Sequence, residues 1–225
     1  MNILGIDTST KTLSLAVSRG GKTVRFRNQR LQRPLSSSIM PAVRDILEAS
    51  GMALERLDGF AVGLGPGSFT SLRVGLATVK GLAFVAKIPV VGISSLDVLA
   101  MNASEEEAQV CVLCDAKRHM GYACVYRKTK SGLLRQSDYM LAGIRDILKH
   151  VRGKTVFIGD GAALFSQEIK RAKTVTPVFG GPKLALPQAR HLITLASERF
   201  KLGKADNIDA LVPMYLYPEH CQVRR

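Results

Sequence analysis

Apolar positions along the chain recur with two periods, and the order in which those periods alternate is repeated once. Ile3-Leu4-Gly5-Ile6 is a short apolar run that ends at Asp7-Thr8-Ser9-Thr10. Leu13, Leu15 and Val17 then alternate with polar or small residues, the mark of a half-buried strand. Arg19-Gly20-Gly21-Lys22 predicts a hairpin turn, beyond which Val24 and Phe26 continue the alternation. Ser36-Ser37-Ser38 can cap a helix reaching Ser50, with Ile39, Met40, Val43, Ile46 and Leu47 on one face and Gly51 as its stop. Phe60-Ala61-Val62 predicts a buried strand. A break, Gly63-Leu64-Gly65-Pro66-Gly67, separates it from an apolar helix ending near Ala86, and a strand from Ile88 to Ile93 and a short helix from Ser94 or Ser95 follow.

The second half starts over. Gln109 to Cys114 is an apolar strand ending at Asp115, a second strand covers about Gly121 to Arg127, and a turn at Lys130-Ser131-Gly132 leads into a third that runs through Leu134 to about Leu141. Ile144, Ile147, Leu148 and Val151 mark a helix. The strand Thr155-Val156-Phe157-Ile158 then enters Gly159-Asp160-Gly161 and a helix to about Ala172, and Leu192, Ile193, Leu195, Ala196 and Phe200 define one more. Three strands, helix, strand, glycine break and helix thus appear twice, which predicts two copies of one α/β unit. That plan is the ribonuclease H-like fold; duplicated, it is the actin-like, two-lobe architecture with a nucleotide cleft between lobes. The expected lobes are 1–105, joined by part of the C-terminal segment, and 106–225.

Composition narrows the class. With 46% hydrophobic residues the chain can bury real cores, and Asp7 interrupts the N-terminal apolar run before a signal peptide could form. Arg73, Lys80, Lys87 and Asp97 break the longest apolar region, so no membrane span is expected. Four cysteines in a chain with good cores read as reduced thiols in a cytoplasmic protein. The 32 Lys+Arg against 18 Asp+Glu point to a polyanionic neighbour such as RNA. The basic residues are scattered, however: Lys22, Arg25, Arg27, Arg30 and Arg33, then Lys128 and Lys130, then Lys170, Arg171 and Lys173. No aromatic ladder accompanies them, so the charge implies salt-sensitive attraction without base reading.

Candidate chemistry gathers at the strand ends. The loop from Gly63 to Ser68 can hold an anion on the amides of the following helix, for which Ser68, Thr70 and Ser71 are candidate caps, or can simply pack helix on sheet. Asp7, Thr8 and Ser9 can wrap a phosphate, with Asp7 holding a metal through water, or close an Asx-type turn. Gly159, Asp160 and Gly161 can border an adenosine, or form a helix entry capped by Asp160. Asp115, beside Lys117, Arg118 and His119, can line a cleft or sit in a charged hairpin. His119, His150, His191 and His220 lack helical metal-ligand spacing, and Cys111 and Cys114 in an apolar strand read as core thiols, so no metal site is expected.

Taken together, Ile3-Leu4-Gly5-Ile6-Asp7-Thr8-Ser9, Gly65-Pro66-Gly67-Ser68-Phe69-Thr70-Ser71-Leu72-Arg73-Val74-Gly75 and Asp115-Ala116-Lys117-Arg118 resemble the TsaB (YeaZ) family. The similarity is strong to about residue 120 and looser beyond, where Gly159-Asp160-Gly161 and Pro213-Met214-Tyr215-Leu216 match family stretches. The resemblance implies a non-catalytic accessory protein for making threonylcarbamoyladenosine in tRNA. It implies pairing with the catalytic paralogue TsaD, whose metal-binding histidine pair is missing here, and with the ATPase TsaE. The tRNA is then the substrate of the complex, no cofactor is tightly bound, and ATP or ADP enters through the assembly. Three positions depart from the family pattern: Leu35-Ser36-Ser37, where a histidine is usual, Ser71, where glycine is common, and Tyr217, where arginine is expected.

Two other readings of the fold are weaker. A small-molecule kinase needs a carboxylate base and open phosphate loops in both lobes, yet the turn at Asp115 carries cations and bulk where glycines would suit it. A metalloprotease lacks ligands. The helix from Leu72 to Ala86 is apolar on all sides, which predicts cover beyond its own sheet. Met40, Val43, Leu47, Leu72, Gly75 and Val79 are therefore the expected contacts to the paralogue, or to a second copy of the chain when it is alone.

Overall fold

The computed structural model describes residues 1–103, 109–129 and 132–217; the expected turn at Lys130-Ser131, and His220 and Cys221, lie outside them. In chain order the first elements are β1 (Ile3–Asp7), β2 (Thr12–Arg19), β3 (Lys22–Arg30), α1 (Leu35–Ala49), β4 (Gly59–Gly63), α2 (Phe69–Ala86), β5 (Val90–Ile93) and α3 (Ser95–Ala100). They are followed by β6 (Gln109–Asp115), β7 (Met120–Thr129), β8 (Gly132–Arg135), β9 (Met140–Gly143), α4 (Ile144–Leu148), β10 (Gly153–Ile158), α5 (Asp160–Leu164), α6 (Ser166–Arg171), β11 (Val175–Phe179) and α7 (Ala189–Lys201).

Two compact units result, one of Met1–Val98 with Pro187–Met214, the other of Leu99–Leu186 resuming at Tyr215. The first holds a five-stranded sheet in the order β3-β2-β1-β4-β5; the second runs β11-β10-β6-β7-β8, with β9 also pairing β7. Taken from the opposite edge, the second order is the first one again. In each, the first two pairings of the meander are antiparallel and the crossover strands join in parallel.

Alternation along the strands decides what covers each face of the first sheet. Leu4, Ile6, Leu13, Leu15 and Val17 point to α1 and α2, where they meet Ile39, Val43, Leu76 and Val79. Ile3, Ala16, Ala61 and Val91 point the other way and are covered by Leu192, Ile193 and Ala196 of α7. The Ala189 N–H at the start of α7 donates to the buried Ser14 hydroxyl at 2.8 Å. Residues 187–214 are thus the part of the C-terminal segment that joins the first unit, and the second is Leu99–Leu186 resuming at Tyr215 in place of a continuous 106–225. By length and composition α2 is the described helix that would suffice to cross a membrane; Leu72, Leu76, Val79 and Ala83 instead seat it in the core.

Four local features differ from expectation. The third strand of the second meander is two strands, β8 and β9, and the helix after Gly161 is α5 and α6, parted at Phe165, whose ring is buried in the core. Strand β11 has no periodic signal because Pro177 interrupts it; proline is tolerated there since β11 is an edge strand. Helix α1 starts at Leu35 without a side-chain cap, and the Ser37 and Ser38 hydroxyls donate back to the Pro34 carbonyl. Cys111 and Cys124 are buried thiols on neighbouring strands, and burial pushes the Cys111 thiol up to about 12.

Candidate functional site

The first-unit loop is filled by its own chain. Asp7, at the end of β1, is 1% exposed, and Thr8 and Ser9 are buried beside it. One carboxylate oxygen of Asp7 accepts from the Ser9 N–H at 2.9 Å and the Ser9 hydroxyl at 2.7 Å; the other accepts from the Ser95 hydroxyl at 2.7 Å. Ser95 Oγ in turn accepts from the Gly65 N–H at 3.1 Å. The Thr8 hydroxyl donates to the Ser71 carbonyl, and the Ser68 N–H to the Ser9 carbonyl. The latter contact is possible only because Gly67 has no side chain: a Cβ there would lie 2.1 Å from the Ser9 oxygen. The three residues expected to wrap a phosphate therefore spend their polar groups on each other and on Ser68, Ser71 and Ser95. Ser68, the N-cap of α2, makes no capping bond; its hydroxyl donates to that of Ser71. Ser95, the partner sequence reasoning missed, stands far from Asp7 in the chain, and only the parallel placement of β1, β4 and β5 brings it there.

Burial raises the Asp7 carboxyl above its ordinary range, against the lowering effect of its Ser9 and Ser95 hydrogen bonds. The native state then keeps a proton that the unfolded chain loses above about pH 3.9, so this group's contribution to stability falls as pH rises from there. Unfolding in denaturant between about pH 4 and 8 should show that decline in the parent and lack it in Asp7→Asn. Identical pH slopes in the two proteins would overturn this assignment.

The equivalent turn in the second unit is built differently. Asp115 at the end of β6 is partly exposed, and a hydrogen bond from Lys117 holds its carboxyl below the ordinary range. The Asp115 N–H donates to a carboxylate oxygen of Asp160 at 2.9 Å. Asp160 thus ties the end of β6 to α5 and does not cap the helix, whose N-cap is Gly159. Lys117, Arg118 and His119 all have positive φ, at 66°, 51° and 57°, a left-handed run that non-glycine residues adopt reluctantly. Ala116 N–H donating to the Met120 carbonyl, and the Tyr217 hydroxyl donating to the Ala116 carbonyl at 2.7 Å, hold it. Tyr217, one of the three departures, thereby acquires a role in this turn, stacked edge-on to Tyr122.

The expected interface residues divide. Met40 is 48% exposed, whereas Val43, Leu47, Leu72 and Val79 are buried in their own unit and Gly75 faces Thr8. Those five do not form a free docking face, and Val43→Arg or Val79→Glu would place a charge in the core. An all-round apolar helix does not reveal which stripe its own sheet takes. The stripe left outside carries Phe69, Ala77, Gly81, Phe84 and Val85, with Phe84 81% and Val85 74% exposed. Among the described residues no three His, Cys, Asp or Glu side chains come together as a metal-binding group.

Two units of one strand order, each with a carboxylate closing its first strand, define a duplicated ribonuclease H-like protein of the actin-like class. The family model described as TsaD, tRNA N6-adenosine threonylcarbamoyltransferase, matches residues 29–220. A protein of Bacillus subtilis (strain 168) described as tRNA threonylcarbamoyladenosine biosynthesis protein TsaB is 32% identical over 220 residues, covering 96% of this chain and 94% of its own. Its counterpart of the same description in Escherichia coli (strain K12) is 30% identical over 222 residues, with the same coverage. The solved structure of YeaZ from Pseudomonas aeruginosa superposes with a TM-score of 0.81 at 25% identity, covering 96% of this chain and 99% of that one. The chain belongs to the TsaB (YeaZ) family.

Proposed function

We propose that this chain is a non-catalytic subunit of the machinery that places threonylcarbamoyl on adenosine in tRNA. The full-length identity to proteins described as working in threonylcarbamoyladenosine biosynthesis carries the reading. The inward-turned Asp7 supports the non-catalytic part: a carboxylate engaged by Ser9 and Ser95 is poorly placed to act as a base. On this reading a TsaD-like paralogue does the chemistry, a TsaE-like ATPase joins it, and ATP or ADP enters through the assembly in the cytoplasm.

The paralogue docks on the outer stripe of α2 with Met40 of α1, and a second copy of this chain takes its place when the paralogue is absent. Ala77 and Gly81 let a helix approach closely, while Phe84 and Val85 supply apolar area that a partner would remove from water. A Cβ on Gly81 would meet nothing within 4 Å. Gly81→Ala should accordingly stabilise the helix by up to about 1 kcal/mol and leave capture of the paralogue intact. Phe84→Glu with Gly81→Arg should fold, yet lose capture at least tenfold and lower tRNA modification by the reconstituted assembly in parallel. A folded double variant that still captures and supports modification would move the interface elsewhere. ATP turnover above background by the isolated parent would favour a small-molecule kinase instead.

A further inference from the structure

We propose that the groove between β3 and the start of α1 binds the phosphate backbone of RNA. The choice of RNA over another polyanion rests on the tRNA-modification reading; the groove itself does not.

Strand β3 is an edge strand, exposed along most of its length. Arg27 and Gln29 pair with Leu15 and Leu13, whose side chains face α1, so β3 turns these two toward the helix. The concavity there has a volume of about 520 Å³ and is lined by Arg27, Gln29, Arg30, Arg33, Ser37 and Asp45, among others. Three arginines thus line the concavity with one aspartate. Arg27 reaches Asp45 only at 3.9 Å, and Asp45 is also shared with Arg44 at 3.9 Å. Among the described residues the side chains of Arg30 and Arg33 have neither an ion-pair nor a hydrogen-bond partner. Helix α1 adds the positive end of its dipole, with no acidic residue in its first turn and no side-chain cap. Gln29 Oε1 is buried without a hydrogen-bond partner.

Other arginines around α1 are engaged. Arg19 donates to the Ser50 and Gly51 carbonyls, and Arg25 to the Ala49 carbonyl, at the far end of the helix. Arg25 is therefore a helix cap and not part of the groove. Phe26 lies on the opposite face of β3, beneath Arg190, so no ring in the groove is offered for base stacking. Arginines without an aromatic platform hold phosphates and leave bases unread.

The test is binding of a labelled, unmodified tRNA transcript to the whole chain, measured by fluorescence anisotropy across roughly 50 to 200 mM salt. The triple variant Arg27→Ala, Arg30→Ala, Arg33→Ala should bind at least about tenfold more weakly at the low-salt end. Its slope of log affinity against log salt should be shallower by about 2 to 3, near one for each phosphate no longer neutralised. Lys170→Ala, Arg171→Ala, Lys173→Ala removes the same charge from the second unit and should cost less than about threefold. Circular dichroism checks folding; should the triple variant unfold, Arg33→Ala, at an exposed loop position, should still reduce the slope by about 1. Equal losses in both triple variants, or none in the groove variant, would overturn the proposal. So would displacement of the transcript by inorganic phosphate beyond its effect on ionic strength, which marks a free-phosphate site, or competition by polyglutamate as strong as by RNA. Because only this chain and RNA are present, failure here leaves the pairing and modification results untouched.

Discussion

Gly159→Ala is expected to destabilise the second unit by on the order of 4 kcal/mol. Two costs add. Gly159 has φ 110° and ψ 167°, a region essentially closed to residues with a Cβ. A Cβ there would also lie 2.2 Å from the Leu113 carbonyl oxygen, a backbone atom of β6 that cannot swing aside. Relief requires moving the start of α5 away from β6, which breaks the hydrogen bond from the Asp115 N–H to Asp160. A melting temperature lower by roughly 8 to 16 °C is the expected signature. An Asp160→Asn variant, which keeps an acceptor and ordinary geometry, should lose far less. Parent-like melting of Gly159→Ala would mean that the turn is adaptable and that the left-handed run beside it is not held by this packing.

Gly67→Ala should cost on the order of 3 kcal/mol in the first unit, for a different reason. No unusual dihedral is involved, only space: the Ser9 peptide occupies the place a methyl group would need. Pushing it away breaks the Ser68 N–H bond to the Ser9 carbonyl and loosens the Ser9 contacts to Asp7. Asp7 would then sit buried with fewer donors, so the loss should grow as pH rises and the carboxyl ionises. Comparing urea midpoints at about pH 5 and 8 tests both parts. A loss that is the same at both values would separate the steric cost from Asp7.

Much of the fold was legible because it rests on local patterning. Alternation at Leu13, Leu15 and Val17, the hairpin at Gly20-Gly21 and the apolar runs ending at Asp7 and Asp115 are written in neighbouring residues. Their recurrence in the same order exposed the duplication. Strand β11 escaped because four of its five residues lie outside the fully buried core and Pro177 breaks the pattern, so that only its pairing with β10 marks it as a strand. The candidate site was legible in its residues but not in their orientation. Asp7-Thr8-Ser9 and Gly65-Pro66-Gly67-Ser68 stood out, yet nothing adjacent to them says that one plugs the other.

What the amino-acid sequence determined by itself is the set of elements, their order, the doubled plan and the motif that marks the family, since each depends on spacing within a few residues. What the tertiary structure decided is which surfaces face inward. The return of α7 to the first sheet, the choice of the 72-76-79-83 stripe of α2 for the core, Ser95 against Asp7, and Arg25 as a cap while Arg30 and Arg33 stay open all join residues far apart in the chain. Burial is a competition among all apolar surfaces at once, and a helix that is apolar on every side enters that competition without stating which side will win.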